Sequence, residues 1–560
     1  MALHPIAYDH HLDHAEVTDL LRAWADACPE LVELSCAGRS HEGRELWLLT
    51  LTNRTTGPAS SKPALLVDAN VHANELTAAF AALHLVHRLL DGHGDDPRVT
   101  RLLDTRALYV LPRINPDGVE EVLRSGRYVR SSVRRYPDVE PGPGLHRGDV
   151  DGDGRALFMR YPDPDGPWQP HPDEPRLLVP RGPADVDGPF YRLLLEGEIV
   201  DFDGVSVPVA PPAEGLDLPT NLPADWGAAP RHPTGAGPFP GSEPEMQTLL
   251  RVATERPNIV GYVSCHTFGG LHLHPPLNDD DGMPAFDGMV FADLGRMAAA
   301  RTGYRNMSMH DLKYEDGQRF RGGPFGWFYA NLGIYAWITE FWNPQAAAGI
   351  TDIHPSRWLL EHPHEHDLQL LHWSDQELDG RGFVDWYPFE HPQLGMVELG
   401  GWDLMNAWYN PPFDRIEREV APHTEWVIDH LLASALLEIR SWTSEEIGDG
   451  THRLRLVVVN SGWLPTYGSR RAVDRGVGGR IELELTLPVT ARLLGGERHT
   501  DGGQLEGHVT ARSSTTWWGH DEGTPNLAVH EWVVAAPHGT RVGVRACHPR
   551  AGTAVAELNL

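Results

Sequence analysis

The stretch ALLVDANVHANELTAAF, residues 64–80, joins an apolar run to a longer periodic segment and places two polar side chains at the junction. ALLVDANV (64–71) has the length and apolar character of a buried strand, and LTAAFAALHLVHRLL (76–90) has the spacing of a long helix. His72 and Glu75 therefore lie where a predicted strand gives way to a predicted helix. A strand followed directly by a helix is the repeating unit of an α/β fold.

The same alternation continues on both sides of this stretch. Helical spacing precedes it at 15–28, and a strand is predicted at 46–53. Further strands are predicted at 106–114, 258–266 and 334–342, with helices around 288–300 and 325–332. Apolar strands that alternate with helices indicate a mixed, mostly parallel twisted sheet flanked by helices.

The composition changes twice along the chain. Residues from about 136 to 215 are rich in Pro, Gly and Asp without clear periodicity, which is typical of an elaborated loop system or disorder. After about 445, short alternating strands are separated by Gly, Pro and Asp turns. We therefore predict an α/β domain at 1–445 that contains this insertion, followed by an antiparallel β-sandwich at 446–560.

Charge and composition exclude several classes of partner. The 47 basic and 78 acidic side chains give a formal charge of −31, which argues against nucleic acid or an anionic membrane. The N-terminus lacks the pattern of a signal peptide and no apolar run approaches 18 residues, so we expect a cytoplasmic protein. Four cysteines without CxxC spacing predict neither a disulfide scaffold nor a thiolate zinc site.

His72 and Glu75 are candidate metal ligands. Zinc binds imidazole nitrogen and carboxylate oxygen, and a catalytic site takes three protein ligands. His266 ends the strand predicted at 258–266 and supplies a third ligand at the same edge of the sheet. By itself the HxxE spacing is weak in a chain with 31 histidines, because a Glu near a helix start is also favourable for the helix.

The order of several motifs is more specific than any one of them. Strand–HANE–helix is followed by LPRINPDG, RYVRSS, LDL, SCHT and ITEFW. This order resembles the zinc carboxypeptidase family related to pancreatic carboxypeptidase A, over about residues 10–440, with a large insertion between NPDG and LDL. The early segment LSCAGRSHEGRELWLLTLT is also similar to the opening strands of that family.

The resemblance implies a role for each matching residue. His72, Glu75 and His266 would bind one zinc ion, and Glu340 in WITEFW would be the general base. The alternative for Glu340 is a structural carboxylate with a salt-bridge partner. A carboxylate inside so apolar a strand is costly to bury, and a raised pKa would suit a group that takes and returns a proton.

Three further residues match the family by motif. Arg130 would stabilise the developing oxyanion, and Arg127 occupies an adjacent substrate-binding arginine position. The alternative is that these arginines face solvent, since the stretch carries several others. Asp217 in LDL would orient the imidazole of His72.

Two positions depart from the family pattern. Where the family has Asn-Arg to hold the substrate's terminal carboxylate, this chain has Pro219-Thr220, and neither supplies a cation. Thr220 and Asn221 are nevertheless the substrate-binding candidates here. For the tyrosine that closes over substrate, a simple count gives Gln318, whereas Tyr314 fits a longer loop and is our assignment.

The insertion contains half of a calcium loop. Asp149, Asp151 and Asp153 have the right spacing, but the last ligand position falls on Arg160 rather than Glu. The simpler alternative is an acidic, turn-rich loop. Arg155 and Arg160 also offer replacements for the missing carboxylate-binding arginine.

The sequence thus predicts a zinc-dependent hydrolase of peptide-like amide bonds, a metallocarboxypeptidase whose recognition of the C-terminus departs from the family. One alternative is an amidase or deacylase acting on a non-peptide or side-chain amide, which Pro219-Thr220 would favour. Another is a non-catalytic zinc-binding or peptide-binding protein. The expected partner is a peptide or peptide-like amide, and the sequence does not indicate an oligomeric state.

Overall fold

The computed structural model describes residues 3–136, 142–211, 216–224, 226–227, 235–278, 282–313, 322–511, 515 and 523–560. The strands are β1 (Val32–Arg39), β2 (Glu45–Leu51), β3 (Ala64–Ala69), β4 (Ala107–Leu111), β5 (Gly144–Arg147), β6 (Phe158–Pro162), β7 (Trp168–Pro170), β8 (Leu178–Pro180), β9 (Tyr191–Leu195), β10 (Gly197–Val200), β11 (Ile259–Thr267), β12 (Leu271–His274), β13 (Arg305–Ser308), β14 (Tyr335–Phe341), β15 (Phe383–His391), β16 (Gly395–Trp402), β17 (Leu437–Gly448), β18 (Thr451–Asn460), β19 (Ile481–Thr486), β20 (Arg492–Gly495), β21 (His499–Gly503), β22 (Leu527–Ala535), β23 (Arg541–His548) and β24 (Gly552–Asn559).

The α-helices are α1 (His14–Ala27), α2 (Thr77–Gly92), α3 (Pro97–Thr105), α4 (Pro116–Ser125), α5 (Pro244–Thr254), α6 (Ala285–Thr302), α7 (Pro324–Trp327), α8 (Pro344–Ala347), α9 (Pro355–Leu360), α10 (His364–Glu377), α11 (Phe413–Leu432) and α12 (Arg470–Asp474). Two π-helical turns cover Phe328–Leu332 and Leu404–Tyr409. None of the helices in the described ranges is long and apolar enough to cross a bilayer.

The central sheet has eight strands in the order β1-β2-β4-β3-β11-β14-β12-β13. The four middle strands, β4, β3, β11 and β14, are parallel to one another, and antiparallel pairs flank them. β3 and β11 are buried along their whole length, which explains why their sequences are largely apolar. Helix α11 packs against α2 and against α6, and α1 and α5 pack against β1. The predicted mixed, mostly parallel sheet is confirmed.

The insertion contains strands that its composition did not predict. β6, β7, β8 and β9 join β15 and β16 in a second sheet of six strands, and β5 pairs with β10. The expectation of a region made of loops or disorder was therefore wrong for these segments. The strands are three to five residues long, and β6 finds its partner in β16, more than 200 residues further along the chain. Such short segments carry too little periodicity to be recognised alone.

Two antiparallel sheets form a β domain near the C-terminus. Their orders are β17-β18-β22-β20 and β21-β19-β23-β24. Alternating side chains such as Leu454, Leu483 and Trp532 fill a core of their own. β17 crosses the predicted domain boundary at 445/446, and the division of the chain at that point remains a prediction.

Buried polar contacts join the β domain to the α/β domain. The carboxylate of Asp287 on α6 accepts hydrogen bonds from the backbone N–H groups of Arg470 and Arg471, at 2.7 and 3.0 Å. The guanidinium of Arg550 donates to the carbonyl oxygens of Leu332 and Gly333, at 2.5 and 3.4 Å. The Arg550 contacts thus supply donors to carbonyl groups at the end of the short helical turn at Phe328–Leu332.

Candidate metal centre

The connection between β3 and α2 carries the first two candidate ligands. β3 ends at Ala69, and Asn70 follows with a φ of 54°, a left-handed conformation that Asn tolerates better than most residues. The Asn70 amide donates to the Glu75 carbonyl oxygen at 2.5 Å, which closes the turn. α2 begins only at Thr77, so His72 and Glu75 lie on a tight loop in front of the helix.

Three side chains converge at the carboxyl ends of β3 and β11. His72 Nδ1 lies 2.8 Å from Glu75 Oε1, and His266 Nδ1 lies 3.0 Å from Glu75 Oε2. The two Nδ1 atoms are 3.1 Å apart. Ligand atoms that share one tetrahedral zinc ion at about 2.0–2.1 Å would be separated by about 3.3 Å. Two imidazole nitrogens and a carboxylate at this spacing fit zinc.

The other nitrogen of each imidazole faces an oxygen atom. His72 Nε2 lies 3.3 Å from Asp217 Oδ1, and His266 Nε2 lies 2.9 Å from the Ser264 hydroxyl. Such contacts orient metal-binding histidines and leave the opposite nitrogen directed at the metal. The structure thus places Asp217 beside His72, and its role in orienting that imidazole stays a prediction.

Glu340 lies beside this cluster. On β14 it is the parallel register partner of His266, and it is the one residue of that strand that is half-buried rather than buried. Burial, together with the nearby Glu75 carboxylate, raises the pKa of Glu340 to about 8, against the opposing effect of His266 and Arg130. Although burial acts the other way, the two imidazoles hold the pKa of Glu75 well below its usual range.

Arg130 reaches the same cluster from the segment after α4. Its Nη1 donates to Glu75 Oε1 at 3.0 Å, and its Nε lies 3.9 Å from Asp217 Oδ1. Although burial opposes it, these two carboxylates raise the pKa of Arg130, which keeps the guanidinium charged. The side chain is 40% accessible, so it is not enclosed by its partners.

The other predicted site residues have different surroundings. Arg127 donates to Glu121 at 3.0 Å. The hydroxyl of Thr220 donates to the Asp217 carbonyl oxygen at 2.7 Å, and the Thr220 side chain is buried. Asn221 is fully buried, and its amide donates to the carbonyls of Ala236 and Phe239. Asn221 therefore organises its own loop rather than joining the cluster, and Tyr314 lies outside the described residues.

The aspartates of the insertion form a compact turn. The carboxylates of Asp149, Asp151 and Asp153 approach within 4.8 Å of one another. Asp149 accepts from two backbone N–H groups of the same turn, at 2.7 and 2.8 Å. Asp153 pairs with Arg155 at 2.5 Å, and Asp151 accepts from Tyr387 at 2.6 Å. These contacts fit the acidic turn as well as a calcium loop, and calcium binding remains a prediction.

Neither insertion arginine that the sequence offered as a replacement cation joins the cluster. Arg155 is engaged by Asp153, and Arg160 pairs with Glu398 at 2.8 Å within the second sheet. The guanidinium of Arg160 also lies 4.4 Å from the ring centroid of Trp386. Both side chains are thus committed to the insertion itself.

A cavity of about 590 Å³ opens beside Glu340. Much of its lining is apolar, including Phe268, Leu271, Trp342 and Ile350. Charged side chains also line it, namely Arg305, Arg415, Arg418, Asp352 and Glu419. Because Glu340 lines it, the cavity is a candidate space for part of a substrate.

Two residues behind His266 were not predicted from the sequence. Ser264 and Asp68 are both buried and hydrogen-bonded to each other at 2.5 Å. The available signal was a carboxylate inside the apolar run ALLVDA, which is as costly to bury as the one at Glu340.

Comparison with known proteins agrees with this geometry. A sequence model of the zinc carboxypeptidase family, Peptidase_M14, matches residues 17–350, more than half of the chain. The chain belongs to the zinc carboxypeptidase family. A second match, to a domain of unknown function (DUF8731), covers residues 436–559.

Individual relatives of the family are similar over shorter segments. A zinc carboxypeptidase of Saccharothrix mutabilis subsp. capreolus is 33% identical over 131 residues, which are 23% of this chain and 29% of that protein. Carboxypeptidase D of Rattus norvegicus is 32% identical over 173 residues, which are 28% of this chain and 12% of that protein. The matched segments thus span less than a third of these relatives. The carboxypeptidase A structure from Helicoverpa armigera has a TM-score of 0.41 and 17% identity, covering 60% of this chain and 66% of that one.

Proposed function

We propose that this protein is a zinc-dependent hydrolase of peptide-like amide bonds, a metallocarboxypeptidase in which recognition of the C-terminus departs from the family pattern. One observation carries the proposal. Two imidazole nitrogens and the Glu75 carboxylate converge within about 3 Å of one another, while Glu340 and Arg130 flank the same point.

His72, Glu75 and His266 are the proposed zinc ligands. A zinc ion held there would supply a Lewis acid for the scissile carbonyl and would lower the pKa of water towards 7. Asp217 holds His72 from behind, so that Nδ1 rather than Nε2 faces the metal position. The family membership and the donor set both support this assignment.

Glu340 is the proposed general base. Its carboxylate takes a proton from the attacking water and returns it to the leaving nitrogen, which allows one side chain to serve both halves of the reaction. Two observations support this role. The residue is the register partner of His266, and the cavity opens directly beside it.

Arg130 is the proposed stabiliser of the oxyanion. A guanidinium carries five N–H donors, and one of them, on Nη1, donates to Glu75, while Nε lies 3.9 Å from Asp217, beyond hydrogen-bond distance. The remaining donors are available to an oxygen atom that gains negative charge as the amide carbonyl is attacked. Because the two carboxylates already hold the guanidinium in place, little reorganisation accompanies the reaction.

This chain has no arginine at the position where the family binds the terminal carboxylate of the substrate. That position is Thr220, whose hydroxyl is committed to a backbone carbonyl. A substrate carboxylate would therefore lack its usual bidentate partner there. We infer that the enzyme depends less on a free terminal carboxylate than its relatives do. The apolar walls of the cavity favour a bulky apolar substrate residue beside the scissile bond.

The same observation favours a second candidate, an amidase or deacylase that cleaves a non-peptide or side-chain amide. A library of peptides with free C-termini, the same library with C-terminal amides, and a panel of N-acylated amino acids would separate the two. Preferential cleavage of the free peptides would contradict the inference about Thr220, and cleavage of the acylated panel alone would favour the second candidate.

Chelation provides the control for every substrate class. Removal of zinc should abolish hydrolysis, and stoichiometric zinc should restore it. Zinc binding without turnover of any class would instead support the non-catalytic alternative. A cytoplasmic location and the lack of nucleic-acid and membrane partners remain predictions from sequence.

A further inference from the structure

A buried chain of hydrogen bonds runs behind His266. Tyr262, Ser264 and His266 alternate along β11 and therefore face the same side of the sheet. Asp68 on β3 is the register partner of Ser264. All four side chains are at most 2% exposed, so water does not compete for their contacts.

The distances define the direction of each hydrogen bond. Tyr262 donates to Asp68 Oδ2 at 2.6 Å, and Ser264 donates to Asp68 Oδ1 at 2.5 Å. A serine hydroxyl has one hydrogen, and here the carboxylate accepts it. The contact of 2.9 Å between Ser264 Oγ and His266 Nε2 therefore has the imidazole as donor.

We propose that Asp68 and Ser264 are positioning residues that select the tautomer of His266. With the hydrogen held on Nε2, the lone pair of Nδ1 points to the site shared by Glu75 and His72, 3.0 and 3.1 Å away. This inference rests on the proposed zinc site and adds to it two residues that reach the metal only through His266.

The two ligand histidines are thus held by different means. Asp217 contacts His72 directly at 3.3 Å, from a loop. Asp68 acts on His266 through Ser264, and both lie within the central sheet. Each imidazole thus has a carboxylate on the side away from the metal position. Asp217 contacts His72 directly, whereas the Ser264 hydroxyl links Asp68 to His266.

Two substitutions interrupt this relay in different ways. In Ser264→Ala, Nε2 loses its acceptor, and the Glu75 carboxylate, 3.0 Å from Nδ1, then favours the hydrogen on Nδ1 in the metal-free site. In Asp68→Asn, the amide can donate to Ser264 Oγ, which turns the serine hydrogen towards Nε2 and favours the tautomer that cannot bind metal. Cys265→Ala is the matched control, because Cys265 is equally buried on β11 but faces the opposite side of the sheet.

The experiment measures zinc affinity by competition with a chelator in the full-length protein. We expect Ser264→Ala and Asp68→Asn to bind zinc about 10–100-fold more weakly than the wild type. Cys265→Ala should stay within about threefold. Cobalt-loaded samples provide a second readout, because displaced His266 coordination shifts the visible absorption bands, whereas a purely structural defect elsewhere leaves them in place.

The outcomes distinguish this inference from the proposed function. Wild-type affinity and an unchanged cobalt spectrum in both relay variants would overturn the positioning role alone. Failure of the wild type to bind zinc would overturn the proposed function and this inference with it. If Asp68→Asn does not fold, Ser264→Ala decides the question, since it removes a single buried hydroxyl.

Discussion

Substitution of Arg130 tests how this site would stabilise charge in the transition state. The guanidinium is held by Glu75 at 3.0 Å and stays charged, so its donors are fixed before the substrate binds. Loss of one prearranged donor to an oxyanion typically lowers kcat by about 10²–10³, or about 2.7–4 kcal/mol. We expect Arg130→Ala to fall in this range, with a smaller change in KM.

The assay must separate this effect from loss of metal, because Arg130 also contacts the proposed ligand Glu75. Zinc content and steady-state kinetics are therefore measured on the same sample. Arg130→Lys, which keeps the charge but not the planar fork, should fall between the alanine variant and the wild type. Arg124→Ala is the matched control from the preceding helix α4, since Arg124 is exposed, pairs with Glu121 and should change kcat little. A zinc-loaded Arg130→Ala enzyme with kcat within threefold of the wild type would refute the reasoning.

The remaining predictions concern stability and can be checked by thermal unfolding. Burial lowers the pKa of His430 to about 4, so between pH 6.5 and 4 the unfolded state takes up a proton that the folded state does not. The free energy of unfolding should therefore fall by about 3 kcal/mol as the pH drops from 6.5 towards 4. His430→Leu should remove this part of the fall. Burial raises the pKa of Glu245 to about 7, so stability is lost as the pH rises from 4.5 to 7, and Glu245→Gln should raise the unfolding midpoint at pH 8 but not at pH 4. Asp287→Ala, which leaves the N–H groups of Arg470 and Arg471 without their acceptor, should cost about 3 kcal/mol, whereas Asp287→Asn should cost less. An unchanged acid sensitivity in His430→Leu, an unchanged midpoint at pH 8 in Glu245→Gln, or an unchanged midpoint in Asp287→Ala would contradict the corresponding prediction.

The central sheet was predictable because its middle strands are mostly apolar. β3, β11 and β14 are almost entirely buried, and each produces a mostly apolar run that stands out in the sequence. Parallel strands also bring their carboxyl ends to one edge, and this is why His72 and His266 could be expected to meet although they are far apart in the chain.

The insertion sheet was not predictable by the same reasoning. β6 is five residues long and pairs with β16 on one side and β9 on the other, so its stability comes from remote partners rather than from local pattern. The segments next to β6 in the sequence are also rich in proline and glycine, as loops are.

The residues behind His266 were missed for a different reason. Asp68 and Ser264 are single polar residues in apolar strands, and nothing local shows that they are register partners. Burying a carboxylate in an apolar strand is costly at Asp68 as it is at Glu340, so each such carboxylate in a sequence marks a candidate site residue.

The most direct test of the central claim is the hydrolysis rate of zinc-loaded Glu340→Gln, with zinc stoichiometry measured in the same sample. Glutamine is nearly isosteric with glutamate but cannot accept the proton. We predict that the variant keeps one zinc ion per chain and loses at least about 10²-fold in kcat on the best peptide substrate of the wild type. Full activity in Glu340→Gln, or hydrolysis by zinc-free wild-type protein, would contradict the claim that Glu340 is the general base of a zinc-dependent hydrolase.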